Sequence, residues 1–497
     1  MRKVLLIYAF SALICGALAI PQVKLGQTTL NGRDVSDKVE FYGGIPFAEP
    51  PLGSLRLSKP VLKTRIDAKI FNASAFGKTC TQPDCLTINV YRPTGTSSKR
   101  KLPVLFWTHG GAFVVGSSSR VNGTGLVARS ISRGTPIIYV SFNYRLGALG
   151  FPQGQEADDR RALNLGIHDQ TVALQWVQEN IHFFGGDKAK VTMAGTSAGA
   201  VLTQIQLLNP NTEKSARGAI LESGNANTLR TYPAARNELV WQGFVSLVPS
   251  CANISTSGSA FGCLQAASAQ EIAAAVMVSS SNTDFPWDPT VDFGRGSVLQ
   301  DYPSQLYAKG KFSRLPFIAG TNLDDGTVFA QSQEVTDPDI KTWILKQHSP
   351  PTTSQQALES VTDKLLELYP DDPTVGSPFG TGDELFGLPS SYKRRSALVG
   401  DIWFTAPRRQ WSQAAARRGV KSYGYLFTQP LGSVQPELGV VHGGEQPYVL
   451  GQVPSSDAAG QSLSAAIMDY WISFIVSLNP NDARGVQREW SCPRACH

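Results

Sequence analysis

The sequence predicts an α/β fold, a large and mostly parallel central sheet flanked by helices in a single domain. Three observations carry the prediction. Short runs rich in Val, Ile, Leu and Phe lack polar alternation, as strands buried on both faces do. Stretches with apolar residues at helical spacing lie between them. A Gly-rich turn, Gly195-Thr196-Ser197-Ala198-Gly199, joins one such strand to one such helix.

In chain order, residues 102–107 read as the first of these strands and residues 137–142 as the next. Ile167, Leu174, Val177 and Ile181 then share one helical face, and Gly185-Gly186 ends that helix. Residues 190–194 form a strand running into the Ser197 turn, and Ala198 to Leu208 a helix stopped before Pro210. Residues 219–221, 316–319 and 423–427 are further strands, and Leu463 to Leu478 carry an apolar helical face. The region 230–310 is predicted to be helical, its elements unordered. No repeat or low-complexity linker divides the 497 residues, and large α/β units often exceed the usual domain length.

With 42% hydrophobic and 17% charged residues the chain has material for a large core. The net charge of +6 is spread along it, without a basic block or basic-aromatic stripe, which argues against a nucleic-acid partner. Arg2 and Lys3, an apolar run to Ile14 and Ala17-Leu18-Ala19 read as a signal peptide over residues 1–19, with the mature domain spanning 20–497. The apolar run is too short for an anchor, and no other stretch is long enough to span a membrane. A secreted, extracellular protein is therefore expected. Asn72, Asn122 and Asn253 each begin an Asn-x-Ser/Thr triplet, so they are candidate glycosylation sites. Of seven cysteines, Cys15 leaves with the leader. Cys80 with Cys85 and Cys251 with Cys263 are close enough to pair locally, leaving Cys492 and Cys496 for each other.

The chemistry centres on Ser197. A serine on a sharp strand-to-helix bend needs small neighbours, and the helix start behind it offers N–H groups to a developing oxyanion. His109-Gly110-Gly111-Ala112-Phe113 follows a strand where an oxyanion-hole loop is expected. His109 precedes Ser197, so a structural ring is preferred there over a catalytic one. A base must take the serine proton. Of the six histidines, His348, His442 and His497 come late enough in the chain. His442, in Val441-His442-Gly443-Gly444-Glu445 after a late strand, is the best candidate. Asp324-Asp325-Gly326 follows the strand ending near Ala319 and supplies the acid.

Together these residues resemble the type-B carboxylesterase/lipase family, which includes cholinesterases and several fungal lipases. The likeness runs from about Phe41 to about Pro480. It is carried by Tyr42 to Pro51, Asp84 to Val90, His109 to Phe113, Asn143 to Gly147, Asp169-Gln170, the Ser197 turn, Gly320 to Phe329 and His442-Gly443. The resemblance implies a single α/β-hydrolase domain with no cofactor or metal, a fungal secreted origin, and a small-molecule or lipid ester as substrate. It implies Ser197, His442 and Asp325 as nucleophile, base and acid, with N–H groups of Gly111, Ala112 and Ala198 as oxyanion hole. It further implies a structural Arg145–Asp169 ion pair and the disulfides Cys80–Cys85 and Cys251–Cys263.

Departures from the family pattern are as informative. Asp325 replaces the usual Glu, so a shorter side chain must reach the imidazole. Thr196 replaces a Glu beside the nucleophile, which removes a negative charge from the pocket and disfavours cationic substrates. Only four residues separate Cys80 from Cys85, too few for a lid or a cation-binding aromatic loop. Pro83 replaces a Glu that would pair with Arg56. The chain ends soon after Arg488-Glu489-Trp490-Ser491-Cys492, where relatives continue. The expected function is hydrolysis of a carboxylic ester through an acyl-enzyme. A lipase acting on long-chain glycerides or sterol esters ranks second, and a non-catalytic binding protein on the same fold third.

Overall fold

The computed structural model describes residues 20–80, 84–229, 231–281, 286–294, 296–330, 333–348 and 353–486. Residues 1–19, the expected leader, lie outside these ranges, as do Pro83, Cys492, Cys496 and His497.

Nine strands form the central sheet, in the spatial order Ser422–Phe427, Phe317–Asn322, Gly218–Glu222, Gly186–Thr196, Leu102–Thr108, Ile138–Phe142, Thr87–Pro93, Val39–Pro46, Arg33–Asp34. The first six run parallel, and the last three are added antiparallel. A separate three-stranded sheet joins Gln22–Leu25, Thr28–Asn31 and Ile70–Asn72. The strands are buried because helices cover both faces. Val104 and Phe106 point into one apolar cluster, Leu105 and Trp107 into the other. The first cluster takes the Leu165–Asn180 and Ala198–Leu207 helices, the second the Ala458–Ser477 helix through Trp471, Phe474 and Ile475.

The strands read from residue patterns are present with shifted ends: Ile138–Phe142 starts one residue after its apolar run, and Gly186–Thr196 extends beyond both ends of its own. The 167–181 helix spans Leu165–Asn180 and ends in a 3₁₀ turn whose following residue, Gly185, is left-handed at φ 84°. The region 230–310 is helical as expected, with Glu238–Ser246, Phe261–Ala266, Ala269–Ser281 and Pro303–Lys309, but also holds a two-residue parallel pairing of Tyr232–Pro233 with Thr290–Val291. Both expected disulfides form, Cys80–Cys85 and Cys251–Cys263. No described helix is long and apolar enough to cross a membrane.

Motif residues with no role in chemistry hold loops to this frame. The Asn143 amide accepts from the N–H and hydroxyl of Ser118 and donates to Lys78 O and Cys85 O. Arg145 meets the fully buried Asp169 through Nε and Nη2, and its own N–H bonds the same carboxylate at 2.9 Å. Arg56, left without its expected Glu, donates through Nη1 to Leu264 O and Ala267 O. These carbonyls lie at the end of the Phe261–Ala266 helix, where the negative pole of the aligned peptides attracts a cation.

The Arg145–Asp169 pair generates a prediction. Asp169→Ala would leave a buried guanidinium without its carboxylate and is expected to cost about 3–5 kcal/mol, read from the urea midpoint.

Candidate active site

The strand Gly186–Thr196 delivers Ser197 at its carboxyl end, and the helix Ala198–Leu207 starts at the next residue. Ser197 has φ 56° and ψ −128°, a conformation disfavoured for a residue with a side chain. Its N–H donates to Glu222 O at 2.8 Å, which fixes the bend against the neighbouring strand. Gly199 is required by close approach: a Cβ there would lie 2.2 Å from Thr108 O.

The His109–Phe113 loop passes directly over this turn. A Cβ built on Gly110 would come within 3.0 Å of Ser197 Cβ. Three successive residues, Gly111, Ala112 and Phe113, have positive φ of 116°, 53° and 62°. This run turns the loop back on itself, and a Cβ at Gly111 would meet Val115 O at 2.1 Å. The N–H groups of Gly111, Ala112 and Ala198 have no acceptor among the described residues.

His109 is structural in its surroundings. It is buried, its Nδ1 lies 2.8 Å from Gly110 O, and it stacks on Tyr144 at 4.4 Å. Tyr144 OH also donates to His109 O. Burial pulls the imidazole down to about 4, so it is neutral at ordinary pH.

Asp325 and His442 meet although 117 residues apart: Nδ1 of His442 lies 2.7 Å from Asp325 Oδ1. The shorter acid reaches because its loop is held from several sides. Asp325 Oδ2 accepts from the Ser223 hydroxyl at 2.9 Å and the Asn322 N–H at 2.8 Å. The adjacent Asp324 faces away. It accepts from Ser377 Oγ, Phe379 N and Val440 N, and its own N–H donates to Val440 O. Asp324 thus pins its loop to the one carrying His442, while Asp325 reaches the ring. Phe404 and Phe329 flank His442 with ring centroids at 4.7 and 5.1 Å. Phe404 is carried by a π-helical turn, Asp401–Thr405. His442 Nε2 is buried and has no partner among the described residues. His348 ends the helix Asp337–His348.

Thr196 carries no charge of its own, and its surroundings are set by a buried neighbour. Its hydroxyl donates at 2.6 Å to Glu222 Oε2, so a carboxyl group faces this position from the neighbouring strand. Sequence reasoning missed Glu222, Ser223, Asn322, Phe329, Phe404 and Glu445 as parts of the site. An acid at the carboxyl end of a strand beside the nucleophile was the available signal for Glu222. An apolar groove of about 110 Å³ lies between the Cys80–Cys85 disulfide, Val114 and the Ala269–Ser281 helix, and its lining does not include Ser197 or His442. Among the described residues no cluster suited to a metal occurs.

The parallel sheet, its helices on both faces and the turn at a strand's carboxyl end make this an α/β-hydrolase. The chain belongs to the carboxylesterase family, whose family model matches residues 19–493. Membership makes it a carboxylic ester hydrolase. It is 33% identical to Secreted lipase 1 of Botryotinia fuckeliana, over 89% of this chain and 82% of that one. It is likewise 33% identical to Secreted triacylglycerol lipase LIP1 of Gibberella zeae, over 92% and 82%. The solved structure of Aspergillus niger EstA superposes with a TM-score of 0.82 at 28% identity, covering 95% of this chain and 92% of that one.

His109 sets an acid limit on stability. Its folded value lies below the unfolded one, so its contribution is present above the unfolded value, about 6.5, and is lost as pH falls toward about 4. Between pH 7.5 and 4.5, His109→Gln is expected to lose about 2 kcal/mol less stability than the parent in urea titrations.

Proposed function

We propose that the protein is a secreted serine esterase in which Ser197, His442 and Asp325 form the catalytic triad. The observation that carries this reading is the 2.7 Å contact between His442 Nδ1 and Asp325 Oδ1, with Nε2 left free on the opposite side of the ring. Asp325 orients the imidazole and stabilises its charged form. His442 takes the Ser197 proton as Oγ attacks the ester carbonyl. The N–H groups of Gly111, Ala112 and Ala198 stabilise the resulting oxyanion. The alcohol leaves with the proton from His442, and water, activated by the same imidazole, releases the acid.

The short Cys80–Cys85 connection supports an esterase acting on dissolved esters, because four residues cannot build a lid that opens at an interface. A lipase reading has its own support in the names of the relatives. Residues 1–19 act as the leader in this proposal. Asn72, Asn122 and Asn253 are exposed, which suits them as glycosylation sites of a secreted protein.

Hydrolysis of a p-nitrophenyl ester series from acetyl to palmitoyl tests the proposal. Activity is expected to peak at short acyl chains, and Ser197→Ala to lower kcat by about 10⁴-fold or more with an unchanged circular dichroism spectrum. Asp325→Asn is expected to lower kcat by about 10³–10⁴-fold. Retained activity in Ser197→Ala would overturn the triad, and activity confined to long chains with a rate jump at droplets would favour the lipase.

A further inference from the structure

Behind the triad lie two further carboxyl groups, both buried. Glu222 is 0% exposed and Glu445 1%. Glu222 stands between the nucleophile and acid strands, in register with Thr196 on one side and Gly320 on the other. It grips the Ser197 turn twice, through its main-chain oxygen on Ser197 N and its Oε2 on Thr196 Oγ1. Its Oε1 accepts from Trp471 Nε1 at 2.8 Å. Glu445 follows His442 by three residues. Its Oε2 accepts from Asn322 Nδ2 at 2.6 Å, and the N–H of that same Asn322 holds Asp325. Glu445 Oε1 is buried without a partner among the described residues.

The charged and titratable surroundings are almost wholly acidic. Glu445 feels Asp325 and His442, and Glu222 feels Glu445. Tyr139 faces Glu222, and Tyr425 faces both glutamates and Asp325. Arg408 acts on Asp325 and Tyr425 from the helix Ala406–Ala416. Among the described residues no lysine or arginine forms an ion pair with either glutamate. Three carboxylates cannot all ionise cheaply in such a space. Neither glutamate bonds a basic side chain, so the protons fall to them. Burial, and then the neighbouring carboxylates, raise both well above the usual carboxylate range.

We propose that Glu222 and Glu445 are positioning residues that hold a proton behind the triad and set the charge that His442 feels when it takes the Ser197 proton. This rests on the triad reading above. While the pair keeps its proton, the imidazolium formed in the reaction has Asp325 as its main counter-charge. When the pair releases it, a second negative charge favours the imidazolium and the rate rises. The parent enzyme therefore shows two ascending steps in its pH–kcat profile, and the upper one belongs to the glutamate pair as a unit.

The test is kcat for p-nitrophenyl butyrate between pH 5 and 9.5 in the parent, Glu222→Gln, Thr196→Val and Ser197→Ala, with thermal unfolding followed for each. Glu222→Gln keeps the size and polar contacts of the side chain but not its proton. It is expected to abolish the upper step, an increase of about two- to tenfold, while leaving the lower one. Thr196→Val removes a hydrogen bond that favours ionised Glu222, so its upper step should move to higher pH. A Glu222→Gln profile that superimposes on the parent's would overturn the inference, as would a loss of rate equal at every pH, which is the mark of a merely structural residue. If Glu222→Gln unfolds, the position of the Thr196→Val step decides alone, an unmoved step overturning the inference. Activity retained in Ser197→Ala would instead bring down the triad reading itself.

Discussion

A serine held at φ 56°, ψ −128° does not keep that geometry unaided, and much of the structure around Ser197 serves to hold it. The cost of such a backbone is of order 1–3 kcal/mol. It is offset by bonds that the bend alone permits. Ser197 N reaches across to Glu222 O, the helix behind it buries all ten of its residues, and Gly199 lets that helix approach the strand carrying Thr108. The bend is therefore a property of three adjacent strands and one helix. Relaxing it would require all four to move.

The same frame explains how an aspartate reaches His442 where a longer side chain is usual. Asp325 reaches His442 because neither loop is free. Asp324 ties the acid loop to Val440, just before the base, and Ser223 and Asn322 hold Asp325 from the sheet. Fixing the carboxylate by its second oxygen leaves the first aimed at the imidazole. The aromatic rings of Phe329 and Phe404 limit the rotation of His442 and keep water from its flanks. Removal of competing solvent strengthens each of these polar contacts. It also makes unpaired buried charge costly, and this is why the glutamates behind the site are raised and the arginine of the Arg145–Asp169 pair is fully engaged.

Local chemistry made part of this legible in advance. Buried strands announced themselves as apolar runs, and residues 102–107, 138–142 and 219–221 all lie in the sheet. The Ser197 turn was legible because a strained bend admits few residue types. The antiparallel strands Val39–Pro46 and Thr87–Pro93 were visible only as motif stretches, since Glu40, Asn89 and Arg92 interrupt their apolar pattern. Those residues are buried nonetheless. Arg92 pairs with Glu40, and Asn89 bonds Ser118 and Gly44, so polar side chains there are matched inside the protein. Pairing across fifty residues leaves no trace in a local window.

The sequence by itself determined the class of fold, the Ser197 turn, and the order in which Asp325 and His442 follow it. Each of these rests on a local rule: burial of apolar runs, the steric needs of a sharp bend, or chain order in this architecture. Tertiary structure alone decided which of two adjacent aspartates turns toward the imidazole. It also decided that Thr196 would be answered by a carboxyl group from the next strand, and that Arg56 would find helix-end carbonyls in place of an acid. Side-chain direction in a loop and the partner of a buried polar group depend on what lies across the sheet, and distance along the chain does not encode it.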